Sequence, residues 1–365
     1  MAIRTFASAA LNAICPYYTM FPLDFPLSHL TRLRRNAWVL DPFCGRGTTA
    51  FAARLLKLNS LNIDANPVAI AIAKAKLASP RPVLVAQLAQ EILSQPLRAD
   101  IPPGLFWELA YDQNVLIDLV KLRTALLEID TDEAAALRGV ILGALHGPQP
   151  KTKDSYFSNQ MPRTFSSKPD YSVQYWQKHG LLPRPVNALA IIKERIARYY
   201  HSKIPKTIGL AQLGDARTFT SVPYQFDALV TSPPYFGMGT YVEDQWLRNW
   251  FVGGPPQVSY YHGEQLGTSA GDRFISNLAN VWSNVAPMMR PDGKVVIRMG
   301  TIASKKADPE EIIKKSVRQS NVNWRLKSIS SAGASSGRHR QANHMGKIAS
   351  TNSAEQELDF VFKVE

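Results

Sequence analysis

Residues 38–58, WVLDPFCGRGTTAFAARLLKL, decide the fold of this chain. Apolar residues at 37–40 predict a short buried strand that ends at Asp41, where the chain enters a loop containing Gly45 and Gly47. An alanine- and leucine-rich stretch follows, and its spacing predicts a helix from about Thr48 to Lys57. Strand, glycine loop and helix in this order make one unit of a parallel sheet.

A second unit of the same kind follows directly. Residues 60–77, SLNIDANPVAIAIAKAKL, predict a strand that ends at Asp64, a turn through Asn66 and Pro67, and a helix. Strands that alternate with helices indicate a doubly wound, mostly parallel α/β sheet, whose ligands bind at the carboxyl ends of the strands. We therefore expect Asp41 and Asp64 to lie at the ligand-binding edge of the sheet.

The alternation is interrupted and later resumes, which predicts an inserted segment. We assign residues 1–80 and 207–365 to the sheet domain, and residues 81–206 to a largely helical and basic insertion that is a candidate for target recognition. Two further strands, at 323–331 and 357–365, are predicted to pair antiparallel near the end of the chain. They are joined by a polar connection too long for an ordinary loop.

Composition indicates a globular protein and excludes several classes. The 365 residues are 45% apolar, which is enough to fill a sizeable core. Cys15 and Cys44 form neither a CxxC pair nor a metal-binding cluster, so we expect no metal and no disulfide framework. The apolar stretch after Arg4 is too short to span a membrane, and the cytoplasm is the expected location.

Charge is distributed unevenly along the chain. The sequence has 42 basic and 29 acidic residues, a net charge of +13. Residues 151–206 carry a net charge of +8 and residues 286–350 a net charge of +9. Two cationic segments beside a roughly neutral remainder favour a polyanionic partner, although solvated helix faces and loops are the simpler interpretation.

The loop DPFCGRGTT (41–49) is typical of nucleoside binding, with backbone amides and a helix N-terminus facing the ligand. A dinucleotide-binding loop would have a third glycine where Ala50 stands, and the GK[ST] phosphate-binding pattern is absent. S-adenosylmethionine, a nucleoside without pyrophosphate, is the ligand that remains. Asp64 is placed to accept the ribose hydroxyls, or alternatively to cap the next helix, and Asp215 to accept from the adenine amino group.

Residues 231–235, TSPPY, follow the predicted strand DALV (227–230). Pro233 and Pro234 have no backbone donor and cannot continue a central strand. The Ser232 hydroxyl and the Pro233 carbonyl are then acceptors for an exocyclic amine, and Tyr235 offers a ring for base stacking, worth about 1–3 kcal/mol per base. Methyl transfer from a sulfonium requires positioning and electrostatics but no covalent nucleophile. An ordinary proline turn is the alternative interpretation.

Together, DPFCGRGTT, NIDANP and TSPPY resemble the S-adenosylmethionine-dependent DNA amino-methyltransferases that modify cytosine N4 or adenine N6. The resemblance covers about residues 15–80 and 207–300, and it implies a seven-strand methyltransferase sheet and base flipping from double-stranded DNA. A serine at the first motif position favours cytosine N4 over adenine N6. The implied catalytic residues are Ser232, Pro233, Pro234 and Tyr235. The implied cofactor contacts are Asp41, Pro42, Phe43, Gly45, Gly47, Thr48, Asp64, Ala65, Asp215 and Ala216, together with Tyr18 and Thr19 of CPYYTMFP (15–22).

In one respect the chain departs from the commonest pattern of that family. Its cofactor loop precedes the catalytic motif, so the position of a target-recognition region cannot be transferred from the family. Residues 151–176 and 332–347, which mix basic side chains with aromatics or amides, are the candidate DNA-binding segments. Their candidate contacts are Arg163, Lys168, Arg338, Arg340 and His344. A cognate restriction nuclease is a further candidate partner.

Two other functions remain open, and a carbon-5 cytosine methyltransferase is excluded. A carbon-5 cytosine methyltransferase needs a proline-cysteine loop, and no PCQ occurs, so Cys44 is expected to pack under the cofactor. An RNA amino-methyltransferase would share the same motifs. A non-catalytic nucleic-acid-binding protein would predict damaged motifs, whereas Ser232 through Tyr235 are intact.

Overall fold

The computed structural model describes residues 7–17, 21–148, 153–160, 168–219, 222–236, 242–258, 271–302, 307–332 and 354–365. The chain divides into two compact units. The sheet unit comprises residues 19–70, 205–240 and 263–365, and the helical unit comprises residues 1–18, 71–204 and 241–262. The assignment of residues 81–206 to target recognition stays a prediction.

Within the described residues, seven strands form one sheet in the order β3-β2-β1-β4-β5-β7-β6. Neighbouring strands from β3 to β5 are parallel, and β7 runs antiparallel to both β5 and β6. The predicted doubly wound, mostly parallel sheet and the predicted antiparallel pair near the end of the chain are confirmed. The strands are β1 (Trp38–Asp41), β2 (Asn59–Asp64), β3 (Gly209–Leu213), β4 (Phe226–Thr231), β5 (Met289–Ile302), β6 (Trp324–Ser331) and β7 (Ala354–Val364).

Helices account for much of the remaining described chain. The α-helices are α1 (Asp24–Leu30), α2 (Thr48–Leu55), α3 (Pro67–Leu77), α4 (Pro82–Ser94), α5 (Leu105–Ala110), α6 (Gln113–Glu128), α7 (Asp132–Leu142), α8 (Pro169–His179), α9 (Ala188–Tyr199), α10 (Val242–Phe251), α11 (Gly271–Val285) and α12 (Pro309–Gln319), with 3-10 helices at Ala7–Ala13 and Ala286–Met288. In the described part of the chain, none of them is long and apolar enough to cross a membrane.

Both faces of the central strands are buried. Leu40 and Leu229 belong to a core cluster that includes Phe274 and Trp282 of α11. The adjacent residues Val39, Ala228 and Val230 are also fully buried. Because successive side chains of a strand point to opposite faces, the sheet is covered on both sides, as expected for parallel strands joined by helices.

At two places the local structure is more regular than the residue composition suggests. The turn signal RPDGK (290–294) lies within β5, where the pairing with β4 shifts register and Asp292 has a φ of 63°. The aperiodic segment after residue 150 contains α8, which begins with Pro169 in its first turn and ends at Gly180 with a φ of 60°. This proline-to-glycine signature marks a helix even where polar residues obscure the periodicity.

Candidate active site

The predicted functional motifs lie at the carboxyl ends of four neighbouring strands. Asp41 ends β1, Asp64 ends β2, Asp215 follows β3, and Ser232 follows β4. These strands are parallel and adjacent in the order β3-β2-β1-β4, so their carboxyl ends share one edge of the sheet. The chain order reverses between β1 and β4, and such a switch point is where doubly wound sheets bind ligands.

Glycine conformation shapes the loop after β1. Gly45 has a φ of 49° and Gly47 a φ of 71°, values that side chains with a Cβ disfavour, and Gly47 is the N-cap of α2. Cys44 is buried, and its packing under the cofactor stays a prediction. The loop thus turns the chain sharply from β1 into the helix.

The loop amides make bonds that sequence reasoning did not anticipate. We expected them to face a ligand, but several of them bond to the protein because the strand-end acids and carbonyls lie within reach. The donors and acceptors are Phe43 N to Asp41 Oδ1 (3.2 Å), Cys44 N to Ile63 O (2.9 Å), Gly45 N to Asp64 Oδ2 (2.8 Å) and Gly47 N to Cys44 O (2.8 Å). The loop is therefore tied to the ends of β1 and β2 by its own backbone amides.

Asp64 accepts one backbone amide on each carboxylate oxygen. Gly45 N donates to Oδ2 at 2.8 Å and Asn66 N to Oδ1 at 2.9 Å. Burial raises the pKa of Asp64, and the two amide bonds oppose that rise. A carboxylate oxygen has two lone pairs, so each oxygen retains acceptor capacity for a ribose hydroxyl.

Asp41 is fully buried beneath the loop. Its Oδ1 accepts the Thr231 hydroxyl at 2.6 Å and the Phe43 amide at 3.2 Å. Its Oδ2 has no hydrogen-bond partner that meets ordinary geometry among the described residues. Burial raises the pKa of Asp41 to about 6, against the Thr231 and Phe43 hydrogen bonds and the nearby Thr49 hydroxyl, and the nearby Asp64 charge adds to the rise.

These acids fit the cofactor predicted from the sequence. S-adenosylmethionine carries a cationic ammonium group, which suits the buried, incompletely satisfied carboxylate of Asp41. It also carries a ribose, whose two hydroxyls suit the remaining acceptor capacity of Asp64. The two carboxylates are thus compatible with a nucleoside that bears a positive charge.

Asp215 is engaged by a neighbouring side chain. The Arg217 guanidinium donates to both carboxylate oxygens at 2.5–3.0 Å, and the Arg217 amide donates to Oδ1 at 2.8 Å. Although burial acts in the opposite direction, these bonds and the Arg217 charge lower the pKa of Asp215. Its predicted contact with an adenine amino group stays a prediction, and Arg217 competes for the same oxygens.

The remaining predicted cofactor residues differ in their exposure. Pro42 and Thr48 are buried in the loop and the first turn of α2, Ala216 is buried, and Ala65 is exposed. Phe43 is half-buried and meets Trp282 edge to face, with ring centroids 6.3 Å apart. Tyr18 and Thr19 lie outside the described residues.

TSPPY begins beside the cofactor loop. The Thr231 hydroxyl donates to Asp41, and the Thr49 hydroxyl of α2 donates to the Val230 carbonyl at 3.3 Å. Ser232 and Tyr235 are half-buried, Pro233 is buried and Pro234 is exposed. The structure thus brings the proposed catalytic motif to the edge occupied by Asp41.

A charged network behind Tyr235 was missed by sequence reasoning. The Tyr235 hydroxyl donates to Glu357 Oε1 at 2.9 Å, and Arg298 forms a two-bond ion pair with Asp359 at 2.7 and 2.8 Å. The signal was present in VVIRMG (295–300), where Arg298 stands inside an otherwise apolar strand. A buried charge in such a position requires a charged or polar partner.

The predicted DNA contacts lie mostly outside the described residues. This applies to Arg163, Arg338, Arg340 and His344. Lys168 is described, is exposed, and is the N-cap of α8. The proposed DNA-binding role of all five residues stays a prediction.

Comparison with known proteins gives one family match and several structural similarities. The N6/N4 DNA methylase family matches residues 16–75, about one sixth of the chain. A TehB-like S-adenosylmethionine-dependent methyltransferase from Corynebacterium glutamicum is 10% identical with a TM-score of 0.36, covering 95% of this chain and 90% of that chain. The rRNA methyltransferase AviRa from Streptomyces viridochromogenes is 12% identical with a TM-score of 0.34, covering 99% and 94%. TM-scores this low say nothing about activity. No curated protein sequence matches the chain.

The sheet and the matched segment together support a methyltransferase enzyme. The match includes Asp41 and Asp64, whose carboxylates are compatible with a charged nucleoside, and Gly45 and Gly47 of the loop after β1. S-adenosylmethionine is the cofactor that the matched family implies.

Proposed function

We propose that the protein is a DNA methyltransferase that modifies an exocyclic amino group, with cytosine N4 favoured and adenine N6 as the alternative. The observation that carries the proposal is the 2.6 Å hydrogen bond between Thr231 and Asp41. Through this bond, the residue preceding Ser232 contacts an acid at the head of the cofactor loop. Acceptor groups for an amine and a site for a cationic nucleoside are therefore neighbours at one sheet edge.

The chemistry follows from the residues of TSPPY. When bound, S-adenosylmethionine supplies an electrophilic methyl group. The Ser232 hydroxyl and the Pro233 carbonyl accept the two amine N–H groups, which favours a pyramidal nitrogen with a localised lone pair. Tyr235 stacks on the extruded base and holds it in line with the reacting bond.

The choice between bases rests on the first residue of the motif. Ser232 is an uncharged acceptor of the kind more often found with cytosine N4, whereas aspartate or asparagine is commoner with adenine N6. The preference for DNA rests on the matched DNA methylase family and on the net charges of +8 and +9 in residues 151–206 and 286–350. The proposal includes a cognate restriction nuclease that accompanies the methyltransferase.

One experiment tests substrate, base and site together. The chain is expressed in a host that lacks DNA methylation, and the genomic DNA is sequenced with detection of modified bases. N4-methylcytosine in a fixed sequence context is expected, and Tyr235→Ala is the matched control, which should leave the DNA unmodified. If N6-methyladenine is found instead, the target base is adenine and not cytosine. If the wild-type protein, like Tyr235→Ala, leaves the DNA unmodified, the proposal is refuted.

Binding measurements separate the other candidate functions. Competition between duplex DNA and structured RNA distinguishes a DNA enzyme from an RNA amino-methyltransferase. Calorimetric titration with S-adenosylmethionine should give saturable heat, and a protein that only binds nucleic acid should give none. Asp64→Ala is the control, since its weakened titration would trace the heat to the loop.

A further inference from the structure

One face of α8 is fixed to the helical unit. Trp176 is fully buried, and its ring centroid lies 5.4 Å from that of Phe106 in α5. Ser172, one turn earlier, is also buried, and its hydroxyl donates to the Lys168 carbonyl at 3.2 Å. The helix is therefore held by the side that carries Ser172 and Trp176, and its opposite side is left to solvent.

The opposite side carries aromatic, basic and amide side chains. A helix turns by about 100° per residue, so residues three, four, seven and eight apart share a face. Tyr171 is 59% exposed, and its ring stacks on that of Tyr175 with centroids 6.5 Å apart and an interplanar angle of 18°. The centroid of the Tyr175 ring lies 4.5 Å from that of the His179 ring. The α8 stripe, as we call this face, comprises Lys168, Tyr171, Gln174, Tyr175, Lys178 and His179, of which only Tyr175 is half-buried and the others are exposed.

The chemistry of the α8 stripe is uniform. Each of its side chains carries a hydrogen-bond donor, and none carries a negative charge. Asp170 is the acid of this helix, and the helical turn places it about 100° away from Tyr171, outside the stripe. The stripe also lies within residues 151–206, which hold 11 basic and 3 acidic side chains. A phosphodiester accepts hydrogen bonds and donates none, and lysine, tyrosine and glutamine are among the side chains that bind DNA phosphates.

Size and composition favour a nucleic-acid backbone over an apolar groove. The α8 stripe has no leucine, isoleucine, valine or phenylalanine, the kind of anchor with which an amphipathic helix enters the groove of a partner protein. Lys168 and Lys178 lie about 15 Å apart along the helix axis. Successive phosphates of one strand rise by about 3.4 Å along a duplex, so this length can contact more than one phosphate.

We propose that the α8 stripe is a surface of the helical unit that binds the sugar-phosphate backbone of duplex DNA. Its lysines neutralise phosphates, its tyrosine hydroxyls and Gln174 donate to phosphate oxygens, and the stacked rings pack against deoxyribose. The inference rests on the proposed function, which makes DNA the substrate. Contacts of this kind position a duplex but carry no sequence information directly, so changes in the stripe should weaken binding to all duplexes alike.

Charge variants measure the phosphate contacts. Lys168→Gln combined with Lys178→Gln should reduce the slope of log affinity against log salt concentration by about 2, in fluorescence anisotropy with duplex DNA of arbitrary sequence. Lys314→Gln combined with Lys315→Gln removes the same charge from α12, where each lysine pairs with a glutamate, and should leave the slope unchanged. Equal slopes for the wild type and both double variants would overturn the proposal.

Tyrosine variants separate the rings from their hydroxyls. Tyr171→Ala combined with Tyr175→Ala should raise the Kd for the same duplexes about tenfold, because two hydrogen bonds and the packing of the rings are lost. Replacing both tyrosines by phenylalanine keeps the rings and should raise the Kd only about threefold. Wild-type affinity of the alanine variant would contradict the proposed contacts.

A readout on the wild-type protein needs no variant. Tetranitromethane nitrates accessible tyrosine rings, and mass spectrometry locates the product. Duplex DNA should slow the nitration of Tyr171 and Tyr175. Tyr224 is the internal control, because it is half-buried against Trp38, with ring centroids 4.0 Å apart, and precedes β4 at the end opposite to Ser232. Equal nitration of the two α8 tyrosines with and without DNA would overturn the proposal.

Failure of this inference and failure of the proposed function give different results. Methylated genomic DNA together with unprotected tyrosines would overturn the role of the α8 stripe alone. Protected tyrosines in a protein that leaves genomic DNA unmodified would support the stripe and refute the proposed function. Stronger protection by structured RNA than by duplex DNA would assign the stripe to RNA, and protection by high protein concentration without DNA would assign it to a second copy of the chain; either result contradicts the proposal.

Discussion

The Thr231 hydroxyl donates a 2.6 Å hydrogen bond to Asp41 Oδ1, although 190 residues separate the two in the chain. The bond joins the end of β4 to the end of β1, which are adjacent parallel strands. It is a charge-assisted bond to a buried carboxylate, and bonds of this kind are stronger than neutral ones. It therefore influences both the ionisation of Asp41 and the position of the residues after Thr231.

Thr231→Val should weaken cofactor binding in a pH-dependent manner. The hydroxyl bond holds the pKa of Asp41 down against burial, so its loss raises a pKa that is already about 6. More Asp41 is then neutral at pH 7, and we expect affinity for S-adenosylmethionine to fall about tenfold there and to recover in part toward pH 8, before the amino group of the cofactor loses its own proton. Calorimetric titration across this pH range measures the effect.

Thr231→Ser is the matched control for this prediction, because it retains the hydroxyl and loses only a methyl group. It should bind the cofactor as the wild type does at pH 7. Equal affinities of the serine and valine variants at pH 7 would show that Asp41 ionisation does not govern cofactor binding.

Asp41→Asn should stabilise the protein in the absence of cofactor. Burial raises the folded-state pKa of Asp41 from 3.8 to about 6, so the ionised carboxylate costs about 3 kcal/mol of folding free energy above pH 6. Between pH 4 and pH 6 the Asp41 carboxyl is protonated in the folded state but ionised in the unfolded state. Wild-type stability therefore falls as the pH rises over this range. Thermal unfolding should give the asparagine variant a higher Tm at pH 8, with the difference vanishing near pH 4.

Asp215→Asn is the contrasting control at another strand end. Arg217 lowers the pKa of Asp215 despite burial, so this carboxylate stabilises the fold at neutral pH and its neutralisation should lower the Tm.

The Asp41→Asn variant should also lose affinity for S-adenosylmethionine. A lower Tm for Asp41→Asn at pH 8 would contradict the assigned cost of the buried charge.

Much of this edge of the sheet was predictable from local sequence. Asp41 and Asp64 end apolar runs that are followed by glycine or proline, and Ser232 precedes two prolines, so each strand end is marked by its neighbours along the chain. The Asp215–Arg217 pair is also local, and the spacing of an acid two residues before an arginine is a sequence signal for it.

Long-range pairing explains what was missed. Glu357 reaches Tyr235 only because β7 inserts between β5 and β6, and Arg298 stands directly opposite Asp359 in that pairing. Strand order and register of this kind are set by contacts far apart in sequence, so a pattern read along the chain does not contain them. The charge of Arg298 within an apolar strand predicted a partner, but not which one.

Asp64→Ala should weaken cofactor binding by removing two functions of one carboxylate. The variant loses the acceptors for a ribose, and it frees the Gly45 and Asn66 amides that fix the loop. We expect the Kd for S-adenosylmethionine to rise at least tenfold in calorimetry, since hydrogen bonds to a charged group contribute about 1.5–3 kcal/mol. Asp64→Asn, which retains one acceptor oxygen, should bind with intermediate affinity, and an alanine variant of wild-type affinity would remove Asp64 from the cofactor site.

Arg338→Glu combined with Arg340→Glu should weaken DNA binding and reduce its salt dependence. Both residues lie outside the described part of the chain, so the prediction rests on the basic character of residues 332–347. Each phosphate contact contributes about 0.9 to the slope of log affinity against log salt concentration, so losing two contacts should reduce the slope by about 2. Fluorescence anisotropy with duplex DNA at several salt concentrations measures it.

Lys314→Glu combined with Lys315→Glu provides a control of equal charge change. Both lysines are on α12, where each already pairs with the glutamate four residues earlier. Reversing them changes the net charge of the protein as much as the arginine variant does, but we expect no loss of phosphate contacts and hence an unchanged slope. If both double variants change the slope equally, net charge and not contact by residues 332–347 explains the effect; if neither changes it, this segment does not bind the DNA backbone.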